Sequence, residues 1–120
     1  MLEITRKDLK ISAINKLEPA QGSYNIPVKL NADNTYTSYT TEMRIGFYVG
    51  DAQIVLKSSY DADNKCFYIP GEALELNGLI YISFFLEDQS IPRAVMTNAL
   101  AYEVSNCTPT RLLMFSLMQL

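Results

Sequence analysis

The sequence predicts an all-β fold, an antiparallel β-sandwich of about seven strands with a short helix at its C-terminal end. Three observations carry this. Apolar and polar residues alternate with a period of two over residues 24–30 and again over 43–49, as half-buried strands require. Residues 79–86 form an apolar run broken only by Ser83 and rich in β-branched and aromatic side chains. Clusters of Asn, Asp, Gly and Pro separate most of these segments.

Residues 2–13 alternate weakly, and Leu9, Ile11 and Ala13 can form one side of a first strand. Pro19 and Gly22 mark residues 16–23 as a loop. Tyr24, Ile26, Val28 and Leu30 then share a strand face. Pro27 lacks the N–H that a ladder uses, which predicts a sheet edge for this strand. Residues 31–41, N-A-D-N-T-Y-T-S-Y-T-T, read as a long polar connection. Met43, Ile45, Phe47 and Val49 define a second clear strand. Gly50-Asp51 after it predicts a two-residue type II′ hairpin into a partner over 52–56, because glycine accepts the positive φ needed at the first central position.

The D-A-D-N cluster at 61–64 closes the next turn, and 65–69 is a short strand that ends at Ile69-Pro70. Residues 71–76 can form one helical turn before Asn77-Gly78 and the buried central strand over 79–86. A polar turn at 87–92 follows. Residues 93–104 supply the last strand, or two strands split by a bulge, with Leu100, Tyr102 and Val104 on one face. Tyr81 stands where immunoglobulin-like sandwiches carry a tyrosine that hydrogen-bonds back across the corner before it. It is the candidate structural corner residue, with a plain core or surface aromatic as the alternative. The Cys–Trp–Cys features of antibody domains are missing, since the chain has no Trp.

The sandwich is expected over residues 1–106 and a C-terminal helical segment over 107–120. Thr108-Pro109-Thr110 can start that helix, with threonine as N-cap and proline at the first helical position. The following R-L-L-M-F-S-L-M-Q-L is apolar at seven of its ten positions, and a helix apolar on most sides needs a partner. Leu112, Leu113, Phe115, Leu117, Met118 and Leu120 are therefore the candidate oligomerisation or partner-binding residues. Packing on their own domain, or burial by sequence following in a longer protein, are the alternatives.

A chain of 120 residues suits one domain, and with 48% hydrophobic and 19% charged residues it is expected to fold. A net charge of −3 and ten scattered Lys and Arg give no electrostatic footprint for nucleic acid. No apolar run approaches the roughly 20 residues of a membrane span, and residues 112–120 are too short. The first ten residues lack the apolar stretch of a secretory signal, so Cys66 and Cys107 are expected to stay reduced and buried, and the sequon Asn106-Cys107-Thr108 to be idle. The absence of histidine excludes histidine-based triads and metal sites, and no phosphate-binding glycine motif occurs. Asp61 to Lys65 begins like a calcium loop, but Lys65 takes a ligand position and Cys66 the required glycine's. Asp61 and Asp63 are read as a solvated turn rather than a loose cation site. Glu87 and Asp88 are neighbours on a strand, face opposite ways and cannot form a catalytic dyad. No catalytic residue, cofactor or metal is expected. The tyrosines near polar loops (Tyr24, Tyr36, Tyr39, Tyr48) leave a carbohydrate- or peptide-binding surface open.

K-D-L near the start, K-C-F-Y-I-P-G-E-A-L, G-L-I-Y-I-S-F-F, R-A-V-M-T-N-A-L-A-Y-E-V and T-P-T before a helix follow one another in this chain. In that order they resemble a group of phage and prophage virion structural proteins: baseplate upper protein N-terminal domains and head-fibre or tail-fibre adaptors. The resemblance covers roughly residues 7–120. It is strongest at Cys66 to Leu74, Gly78 to Phe85 and Thr97-Asn98, none of which is a catalytic signature. It implies an immunoglobulin-like domain that attaches to the virion and a helix that starts an oligomeric, usually trimeric, stalk. The implied partners are other copies of the chain and capsid or tail proteins, with neither nucleic acid nor membrane, in a virion assembled in the host cytoplasm. The sequence stops just after the helix begins, so a complete chain of this length would lack a stalk and act as a short decoration or adaptor subunit. The expected function is a non-enzymatic virion structural protein. The alternative is a soluble carbohydrate- or peptide-binding β-sandwich acting through loops such as 31–41.

Overall fold

The computed structural model describes residues 1–16 and 18–105. Among them, nine strands form two sheets around one core: β1 (Leu2–Lys7), β2 (Lys10–Ala13), β3 (Ile26–Ala32), β4 (Thr40–Val49), β5 (Ala52–Ser59), β6 (Phe67–Ile69), β7 (Gly78–Asp88), β8 (Arg93–Met96) and β9 (Leu100–Val104). The first sheet has the order β2-β1-β3-β6. The second runs β5-β4-β7, with β8 and β9 following one another along the far side of β7. The fold is thus all-β and sandwich-like, with nine strands where about seven were expected. The expected C-terminal helix and its six apolar residues lie outside the described residues.

The pairing is not wholly antiparallel. β1 runs parallel to β3, from Leu2 opposite Val28 to Arg6 opposite Ala32. The cause is the tight Asp8-Leu9 turn, which folds β2 back along the outer side of β1 with Lys7 opposite Lys10. The chain then returns to the starting end before β3 begins, so β3 runs alongside β1 in the same direction. Residues 2–13 therefore hold two strands where one weak strand was expected. The inward positions of β1 are Leu2, Ile4 and Arg6, and the arginine disguises a regular alternation.

Pro27 is a second correction, since β3 lies inside its sheet, between β1 and β6. The backbone N–H of Tyr68, opposite Pro27, points away from β3 and donates to Ser58 Oγ at 3.2 Å. Pro27 and Tyr68 therefore form a non-hydrogen-bonded pair, and the Pro27 nitrogen faces the β1 side. There β1 starts only at Leu2, opposite Val28, so no ladder bond is lost.

The hairpin reading holds. Val49 pairs with Ala52, Gly50 has φ +61° and Asp51 is not among the residues with positive φ, as a type II′ turn requires. The helical turn expected near residue 71 is a 3-10 turn over Gly71–Leu74 that buries Leu74. Along β7, Ile80, Ile82, Phe84 and Leu86 point into the core. They meet Leu2, Ile4, Val28 and Ile69 of the first sheet, and the Phe84 and Phe67 rings pack at 5.4 Å and 65°.

The last two strands are split by a bulge. Met96 lies opposite Phe85 and Leu100 opposite Ile82, so one side carries an extra residue. Within the bulge, Thr97 N–H donates to the Phe84 carbonyl at 3.0 Å, and Thr97 Oγ1 accepts from Phe84 N–H at 3.0 Å. This turns the Asn98 side chain toward the other sheet. Its Oδ1 accepts from Ile11 N–H at 2.7 Å, and its Nδ2 donates to the Ile11 carbonyl at 3.2 Å. The amide stands in for a peptide group and joins β2 to the second sheet. Asn98→Ala is expected to destabilise the domain by about 1–3 kcal/mol in urea denaturation, because it strands both Ile11 groups. A loss below about 0.5 kcal/mol would show that water replaces the amide.

Candidate functional site

The outward face of the second sheet is a candidate surface to which three strands contribute. β4 contributes Arg44, Gly46 and Tyr48, β5 contributes Gln53 and Val55, and β7 contributes Tyr81 and Ser83. With Met96 and Ala99 they line a depression of about 380 Å³. Its floor is low because Gly46, Ser83 and Ala99 carry small side chains. Its walls are apolar, and Tyr48, Val55 and Met96 are 53%, 51% and 46% exposed. Arg44 closes one side, its guanidinium 4.0 Å from the Phe85 ring centroid and 3.2 Å from Glu42. Such a face suits contact with another protein surface. It holds no nucleophile paired with a base.

Tyr81 lies on this face, half-buried, and its hydroxyl makes no hydrogen bond among the described residues. It is therefore not the corner anchor expected of it. The phase of β7 explains this, since Ile80 and Ile82 take the inward positions on either side. Tyr102 on β9 does point inward: it is 9% exposed, and its buried hydroxyl has no hydrogen-bond partner among the described residues.

The 33–39 loop is organised by a residue that sequence reasoning missed. Arg6, 4% exposed, donates from Nη1 to the Asp8 carbonyl at 2.6 Å and to Thr35 Oγ1 at 3.0 Å, and from Nη2 to the Thr35 carbonyl at 2.9 Å. Asp33 is 3.5 Å from the same guanidinium. The Asp33 carboxylate also accepts from the Thr35 hydroxyl and from the backbone of Thr35 and Asp8. These bonds, that of the Thr35 hydroxyl foremost, lower its pKa from 3.8 to about 2. Tyr36 and Tyr39 pack edge-to-face at 5.0 Å and lie against the core, so they serve the fold before any ligand. Arg6 was legible as the third inward position after Leu2 and Ile4.

The remaining sequence candidates fall where their chemistry puts them. Asp61 is filled by the turn it closes, accepting from the backbone of Asp63 and Asn64, from Asn64 Nδ2 at 2.8 Å and from Tyr68 OH at 3.0 Å. Glu87 and Asp88 do face opposite ways, Asp88 inward and bonded to Ser90 and Ser38. Cys66 is buried and free. The candidates Leu112, Leu113, Phe115, Leu117, Met118 and Leu120 lie outside the described residues. The chain reaches them from Ser105, and β9 ends at Val104 opposite Gly78, beside Leu76 and Leu79, which are half-exposed. No family model matches the chain, and no curated protein matches it in sequence.

Tyr81→Phe is expected to leave the denaturation midpoint unchanged, whereas Tyr102→Phe removes a stranded hydroxyl and raises stability by up to about 1 kcal/mol. A loss above about 1 kcal/mol for Tyr81→Phe would restore the corner role. The Asp33 carboxyl has a folded pKa below its ordinary value, so the stability it gives is complete above pH 3.8 and lost as pH falls toward about 2. Asp33→Asn should therefore be less stable than the parent at pH 5, and the difference should shrink by pH 2. Melting curves at the two pH values check this, and a constant difference would refute it.

Proposed function

We propose that this chain is a non-enzymatic virion structural protein whose β-sandwich docks on capsid or tail proteins and whose apolar C-terminal segment joins copies of it. The observation that carries the reading is the apolar segment at residues 112–120, which follows in sequence a sandwich whose described residues already form one hydrophobic core. A segment with that composition needs a partner surface. The exposed Leu76 and Leu79 beside the end of β9, and the apolar outward face of the second sheet, support a protein that works by protein contact.

The finer fold reading is immunoglobulin-like, and strand order supports it. Taking β3, β4, β5, β6 and β7 as strands B, C, C′, E and F, and β8 with β9 as G, the sheets follow A-B-E and C′-C-F-G. The parallel pairing of β1 with β3 is the departure, since strand A normally opposes strand B. The ligand-binding alternative has less support, because Tyr36 and Tyr39 in the loop it relies on are committed to the core.

Light scattering of the full chain against a version ending at Asn106 tests the reading. The full chain is expected to assemble into a larger particle than the truncated one, and a trimer fits a stalk-forming role. Equal subunit numbers and equal solubility would overturn the C-terminal segment as the assembly element. Specific glycan binding lost in Tyr36→Ala and Tyr39→Ala would favour the alternative.

A further inference from the structure

Parts of the sheet edges in this domain are capped by the chain itself. Asn98 caps the outer side of β2 at Ile11, and its own N–H reaches the Leu9 carbonyl at 3.4 Å. Ala20 bridges Ser105 just past the end of β9. β6 is only three residues long and gives its Tyr68 N–H to Ser58. The last of these contacts also covers β5 at Ser58, but among the described residues no backbone hydrogen bond reaches the outer side of Ala52 to Lys57.

That open length has a defined hydrogen-bonding phase. The two-residue turn makes Val49 and Ala52 a hydrogen-bonded pair, and such pairs alternate along the hairpin. Gln53, Val55 and Lys57 therefore aim their backbone N–H and C=O away from β4. None of these groups has another backbone partner among the described residues. The usual protections of an edge are missing between Ala52 and Leu56. This stretch has no proline and no charge, and the β4–β5 register runs unbroken through eight pairs. Ile54 and Val55 are 37% and 51% exposed on it.

We infer that β5 pairs antiparallel with β5 of a second copy of this chain, about a two-fold axis through Ile54. Outward-aimed residues must face outward-aimed residues, which restricts the axis to a residue rather than a point between residues. An axis at Val55 brings Ser59 into the pairing, where β6 already lies against the edge. An axis at Gln53 sets Asp51 against Val55 and draws the turn into the ladder. The axis at Ile54 sets Gln53 against Val55, Ala52 against Leu56, and Asp51 against Lys57 at both ends. It is the register in which opposite charges meet and apolar residues cover one another. The contact uses only described residues and joins the two second sheets into one.

Register-specific cross-linking in the full chain tests this, with Cys107→Ser removing the second native thiol. At a non-hydrogen-bonded pair the Cα atoms lie about 4.5 Å apart, within reach of a disulfide. Ile54→Cys is expected to give a covalent dimer rapidly under mild oxidation, while Gln53→Cys and Val55→Cys, each about two residues from its own copy, lag well behind. No dimer from Ile54→Cys, or equal yields at all three positions, overturns the proposal. Asp51→Lys or Lys57→Asp alone should weaken dimerisation about tenfold in sedimentation, and the double exchange should restore it. Single and double variants that sediment alike would also sink it. These readouts do not involve residues 112–120, so their outcome is independent of the assembly role given to that segment.

Discussion

Two sheets that pack face to face still have to be held in register at their flanks, and here one flank depends on the Asn98 side chain. The extra residue in the bulge between β8 and β9 rotates that side chain out of its own ladder. Its amide then meets Ile11 with the donor and acceptor spacing of a peptide group. Thr97 makes this possible by satisfying Phe84 on both N–H and C=O, so the bulge leaves the central strand fully bonded. The edge of β2 is thereby capped at Ile11, beside the core that holds both Ile11 and Tyr102.

Much of this was legible in the sequence, where alternation was undisturbed. β4, its Gly50 turn and β5 follow from apolar periodicity and the φ preference of glycine. β7 and the bulged last strand follow from an apolar run and the inward set Leu100, Tyr102 and Val104. The misses share a physical cause: a side chain whose partner is remote in sequence. Arg6 looks like a surface residue until Thr35 and Asp33 are beside it. Pro27 signals an edge until the start of β1 shows which side of β3 is open. Tyr81 fits a corner by position, yet strand phase alone decides which way it points. The parallel β1–β3 pairing has no local signal at all.

The candidate surface was legible only in part. Its residues are the outward half of β4, β5 and β7, which periodicity identifies as a set. That the set makes an apolar depression instead of a polar exterior depends on Gly46, Ser83 and Ala99 coming together from three segments. The loop tyrosines show the reverse case. Their composition suggested a ligand platform, but the buried Arg6 guanidinium pins the loop inward and places Tyr36 beneath it at 5.8 Å. A charge buried this deeply is tolerable because Thr35, Asp8 and Asp33 supply oxygen atoms around it.

The Asn98–Ile11 contact joins positions 87 residues apart, and the parallel pairing sets Leu2 beside Val28 across an intervening hairpin. The first is a late event for a chain synthesised from its N-terminus, because closure over that span precedes any reward. The β4–β5 hairpin has no such wait and forms within microseconds once its residues are free. A nascent chain can thus pair β4 with β5 while Ile11 still lacks its Asn98 partner. The Asn98 contact to the N-terminal hairpin can close only after the bulge between β8 and β9 has left the ribosome, so the beginning of the domain is secured from near its end.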